Sequence, residues 1–205
     1  TFQKKLRSVW QLQQHVSYCL FGSKKHLMNE LFEKKNLPFY KFGDAIYLAK
    51  IETKYWIEYI CKRFENTGKH ISPELAEEIC RLVDNHSSYV QQLSWLLWIR
   101  TINTATTEQL SYALEDLLDQ NNILFQSETE NLSAYQMNFL KAIVDGIHTK
   151  FSSKEVISKY NLGTSANIVR LKNALLQKEL IETNGKEIVL ADPVFGVWFK
   201  KEMLY

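Results

Sequence analysis

Apolar positions recur at helical spacing through most of the chain. Phe2, Leu6, Val9 and Trp10 predict a first helix within residues 2–14. Val16 to Phe21 is instead a near-continuous apolar run. It ends at Gly22 and leads into a predicted helix from Lys24 to about Lys34. Such a run reads as a strand of a parallel sheet buried on both faces. A second strand candidate is Ala45 to Ile51. Two short strands do not make an independently stable sheet. The segment is therefore either a small α+β domain or the end of a domain whose other strands lie upstream. From Glu52 to Asn103 the period is helical again, with Trp56, Tyr59, Ile60 and Phe64 in one helix that stops at Gly68. Ser72-Pro73-Glu74 opens the next helix, with a cap, a first-turn proline and a carboxylate in sequence. Asn85-His86-Ser87-Ser88 breaks the pattern, and Val90, Leu93, Leu97 and Trp98 restore it. A further helix opens at Thr107 and runs to about Asp119. Residues 121–131 read as a connector. About four helices thus form a bundle over residues 52–126.

Beyond the connector the pattern changes. Ser133 caps a helix to Ile147 whose Tyr135, Phe139, Leu140 and Ile143 face inward. Ser152 and Glu155 form a capping box for a second helix. Asn161-Leu162-Gly163 turns into a third helix, Thr164 to Lys178. Two strands follow, Leu180–Thr183 and Glu187–Leu190, joined by Asn184-Gly185, a strong hairpin signal. Three helices and a hairpin in this order predict a winged helix-turn-helix over residues 132–205. Its third helix would turn Ile168, Leu171 and Leu175 inward. Thr164, Ser165, Asn167 and Arg170 would face outward, and Lys186 would sit on the wing, positions from which a winged helix meets phosphates and base edges.

Charge tempers that reading. From Leu132 onward there are ten Lys and Arg against seven Asp and Glu, and before it 15 against 16. A committed DNA reader shows a denser basic face, so DNA and protein remain equal candidates for the wing's partner. Seven Gly and three Pro are few, in keeping with helices and short turns. Cys19, Cys61 and Cys80 lie in apolar runs without CxxC or neighbouring histidine spacing. They read as buried, reduced thiols of a cytoplasmic protein, not as a zinc site or a disulfide framework. No apolar run reaches the length of a membrane span. The five scattered histidines and the acidic face of Glu115, Asp116 and Asp119 propose no catalytic residue and no metal site.

Five segments taken in order resemble the archaeal-type ATPases of the STAND branch of the AAA+ superfamily. They are Gly22-Ser23-Lys24 with Leu27-Met28, then Leu37 to Tyr40, then Asn85 to Leu93 with His86 and Tyr89. Leu162 to Asn167 and Asp192 to Phe199 complete the set. The resemblance covers essentially the whole chain. It implies a mainly α protein built from the remnant of an α/β P-loop core (1–51), a helical lid (52–126) and a winged helix (132–205). It also implies that Ser23 is the polar sensor near the γ-phosphate and that the segment around His86 packs near nucleotide. The family has Pro after this histidine, where Ser87 stands here. No G-x-x-x-x-G-K-[S/T] loop and no strand ending in paired carboxylates occurs. These supply the phosphate cradle and the magnesium ligands. ATP with Mg is therefore expected for the intact parent protein and not for this chain alone, which should be inactive by itself. The expected partners are an upstream P-loop core of the same protein and, through the winged helix, DNA or a protein, with no membrane. The alternative is a free-standing winged-helix transcriptional regulator.

Overall fold

The computed structural model describes residues 2–22 and 25–204. The chain divides into two compact units, residues 1–49 and 50–205.

In the first unit, α1 (Phe2–Trp10) and α2 (Lys25–Glu33) match the predicted helices. A small aromatic core holds the unit together. Phe39 is buried, with Trp10, Phe32 and Phe42 ring centroids 5.5, 5.7 and 5.6 Å from its own. Such ring pairs contribute beyond their buried area. Arg7 donates to the carbonyls of Pro38 and Tyr40, tying α1 to the turn after α2. The two expected strands are not realised. Residues 16–22 and 44–50 run without ladder partners among the described residues. Their apolar side chains face outward: Phe21 and Leu48 are each 91% exposed and Ile46 83%. A parallel strand needs a hydrogen-bonded neighbour, and the two segments do not serve each other. For the same reason Cys19 is exposed rather than buried, whereas Cys80 is buried as expected and Cys61 partly so.

The second unit opens with four helices: α3 (Thr53–Glu65), α4 (Pro73–Leu82), α5 (Ser87–Arg100) and α6 (Thr107–Glu130). Ser72 caps α4 by accepting from the Leu75 amide, with Pro73 in the first turn. Thr106 and Gln109 form a reciprocal capping box at α6. A single parallel bridge, His70 to Thr104, ties the α3–α4 and α5–α6 connections. Helix α6 continues through the segment expected to be a connector. Asn121 does not break it, because its amide donates back to the Leu117 carbonyl, 2.8 Å away. The buried face simply continues from Leu110, Ala113 and Leu117 to Phe125 and Thr129.

The winged helix follows: α7 (Ala134–Val144), α8 (Lys154–Lys159), α9 (Ser165–Gln177), β1 (Ile181–Asn184), β2 (Glu187–Leu190) and α10 (Pro193–Leu204). Ser133 caps α7 as predicted. Tyr135 lies outside rather than inside, 45% exposed. The cap of α8 is Ser153, one residue later than expected, accepting from the Val156 amide. Asn184 pairs with Glu187, so the two-residue turn is Gly185-Lys186. Gly185 has φ 61° and Lys186 does not share a positive φ, the pattern of a II′ turn with Gly first. Helix α10 was not expected. Asp192 starts it, accepting the amides of Val194 and Phe195 at 2.8 and 3.1 Å. Phe195, Trp198 and Phe199 are buried, the first two against Phe125 of α6. Winged helix and bundle thus share one apolar core. No helix among the described residues is long and apolar enough to cross a membrane.

Candidate functional site

The turn between α4 and α5 concentrates unusual backbone and unpartnered polarity. Asp84 and Asn85 both take left-handed conformations, with φ 48° and 53°. Asp and Asn tolerate this region better than other non-glycine residues. Two such residues in succession persist only when their surroundings fix them. Here the start of α3 does so. Asn85 donates to the Thr53 hydroxyl at 3.0 Å, and Lys50 reaches the Asp84 carboxylate at 2.5 Å and its carbonyl at 3.0 Å. The Lys50–Asp84 pair is largely exposed, so its contribution is small.

His86 then occupies the N-cap position of α5 without making a side-chain cap. Its ring lies 4.7 Å from that of Tyr89, and its Nδ1 is buried with no hydrogen-bond partner. An uncapped helix start leaves first-turn amides open, and those amides with the positive helix end favour an anion. A buried, unsatisfied imidazole nitrogen beside them is costly unless something else meets it.

Tyr89, in the first turn of α5, crosses to the winged helix. Its hydroxyl donates to Asp192 Oδ2 at 2.5 Å, while Asp192 Oδ1 holds the start of α10. Glu128 of α6 feels the same carboxylate. Burial and then the charge of Asp192 push the Glu128 carboxyl above its usual range. Burial, then the Asp192 hydrogen bond, likewise raise the Tyr89 phenol, so it stays a donor. Tyr89 and Asp192 stand in the motifs quoted above, but their pairing spans 103 positions and no local pattern announces it.

The other anticipated residues lie elsewhere. Ser23 lies outside the described residues. Thr164 caps α9, its hydroxyl accepting from the Asn167 amide at 3.4 Å. Asn167 is half-buried, and its side chain donates to the Leu162 carbonyl at 3.0 Å, closing the α8–α9 turn. Ser165 and Arg170 are exposed on α9, beside Val169 at 62% exposure. Lys186 is exposed at the hairpin tip, with Glu182 and Glu187 exposed on the same hairpin. The structure therefore gathers Thr164, Ser165 and Arg170 on the outer start of α9, with mixed charge on the wing.

Residues 123–201 match the family model of a probable winged helix domain, starting inside α6. No curated protein matches the chain. Among solved structures, the Walker-type ATPase of Pyrococcus abyssi is similar, with a TM-score of 0.68 at 17% identity. The similarity covers 97% of this chain and 57% of that one. The chain is thus mainly helical, carries a winged helix, and shares its fold with a little over half the length of a Walker-type ATPase.

Proposed function

We propose that the chain is the C-terminal portion of an ATP-binding P-loop ATPase of AAA+/STAND type, serving as its nucleotide-dependent switch. The observation that carries this reading is the fold common to nearly the whole chain and part of a Walker-type ATPase. The unpaired apolar segments 16–22 and 44–50 support it. Both line an open hollow of about 720 Å³ in the first unit, with the exposed Tyr18, Phe21, Ile46 and Leu48 around it. Core strands that have lost their sheet neighbours would leave such a hollow. On this reading the two segments close the P-loop sheet of the preceding core, and Ser23 follows the first of them as the γ-phosphate sensor. The phosphate loop and the magnesium-holding acids belong to that core. When bound, ATP with Mg supplies the cleavable phosphoanhydride and the charge change that drives switching. This chain's residues fit only one end of the nucleotide. The uncapped start of α5 favours the nucleotide's negative charge, and the unpaired Nδ1 of His86 lies buried beside it. The chain binds and reports, and holds no catalytic group of its own. The complete polypeptide should bind MgATP, and His86→Ala should weaken that binding roughly tenfold, the worth of one buried polar contact. A complete polypeptide that binds no nucleotide would sink the proposal.

A second reading rests on the exposed Thr164, Ser165 and Arg170 at the start of α9. They are placed as a DNA-reading helix would place them, as in a free-standing regulator. It requires salt-sensitive binding of random duplex DNA that Arg170→Ala weakens. The balanced charge of the wing speaks instead for a protein partner.

A further inference from the structure

We infer that the Tyr89–Asp192 hydrogen bond is a releasable latch through which the first turns of α5 and α10 open together. Asp192 uses its two carboxylate oxygens for different elements. Oδ1 accepts the Val194 and Phe195 amides that begin α10, and Oδ2 accepts the Tyr89 hydroxyl from α5. Withdrawing Tyr89 therefore frees an oxygen of the group that caps α10. Downstream of that cap, Phe195 and Trp198 sit on Phe125, and the Trp198 indole donates to Asn122 at 2.8 Å. Upstream of Tyr89, the α5 entry turn carries the left-handed pair Asp84-Asn85. A strained turn and a helix cap are thus joined by one short bond, and both are places where local opening begins.

Glu128 lies half-buried on α6, the helix on which α10 is seated, and burial with the charge of Asp192 raises its carboxyl. The titratable groups around the bond are Tyr89 of α5, His86 at the N-cap of α5, Glu128 of α6 and Asp192 just before α10. The latch is independent of what the α4–α5 turn binds, so its failure would leave the proposed function standing, and the reverse.

Amide hydrogen exchange on the whole chain tests it. Tyr89→Phe should speed exchange in both 84–90 and 192–196 by about 10- to 100-fold, the worth of a hydrogen bond to a charged group. The amides of α9 and the hairpin should keep their rates. Acceleration confined to one segment, or in neither, overturns the latch. If Tyr89→Phe unfolds the chain, Asp192→Asn, which keeps an oxygen for the α10 amides, decides by itself. Faster exchange in 84–90 as well as 192–196 supports coupling, and faster exchange in 192–196 alone or in neither refutes it.

Discussion

Truncating Phe125 to alanine removes the centre of the contact between α6 and α10. The side chain is 1% exposed. Its ring meets Phe195 edge-on at 5.4 Å and Trp198 at 5.6 Å, both themselves 1% exposed. Little around it can collapse, because two rigid aromatic rings face it and its own helix is continuous and buried on the same side at Leu117 and Thr129. Truncation at such a site costs about 3–5 kcal/mol, transfer and cavity terms together. With the total stability of a domain at about 5–15 kcal/mol, that is a large share. With a urea m-value of about 2 kcal/mol per molar, the midpoint should fall by roughly 2 M. The loss should reach both the bundle and the winged helix, since one core runs through them. Urea unfolding followed by far-ultraviolet dichroism gives the midpoint, and hydrogen exchange in 75–97 and 168–199 shows where stability is lost. A shift equivalent to less than about 1 kcal/mol would refute the reasoning about the joint. So would a loss confined to the winged helix, which would mean that α6 does not link the two parts.

Ser72→Ala removes the acceptor for the Leu75 amide and should cost about 1 kcal/mol, read as a lower melting temperature. Gly163 has φ +83°, and an added Cβ would meet the side-chain Nδ2 of Asn167 at 3.2 Å. Gly163→Ala should therefore destabilise the α8–α9 turn by about 1 kcal/mol or more in denaturant. Glu128 is raised in the folded state, so its contribution is most favourable below the unfolded carboxylate range and is lost as pH rises through its folded value. Glu128→Gln should then stabilise the chain at neutral pH, with a gain that fades on acidification. Melting curves across pH 3–8 check this, and a gain constant with pH would contradict it.

What was legible in the sequence was local. Ser72-Pro73 announced α4, and Gly163 with Asn184-Gly185 announced the winged helix, because caps and turns are chemistry between near neighbours. The α6 extension was hidden by Asn121 and Asn122, ordinary breakers whose side chains here serve the Leu117 carbonyl and the Trp198 indole. Asp192-Pro193 is a capping residue before a proline and so a readable helix start, yet the winged-helix order of three helices and a hairpin ends before it. The bond between Tyr89 and Asp192, and the nearness of Glu128 to it, depend on three elements meeting and have no local signature. The strands at 16–21 and 45–51 were read from an apolar pattern alone. That pattern states what a segment needs around it, not what is there.

Cys19 offers the most direct test of the central claim. It lies in the unpaired segment 16–22, and its thiol is exposed, whereas Cys80 is buried with its thiol pushed up to about 11. Maleimide labelling of this chain should modify Cys19 quickly and leave Cys80 unreacted. In the complete polypeptide, with a P-loop core in place, Cys19 would be covered by the sheet, and its labelling should slow by orders of magnitude while that of Cys61 stays the same. Equal Cys19 labelling in the two proteins would mean that no core covers this segment, and the account of the chain as the end of a P-loop ATPase would fail.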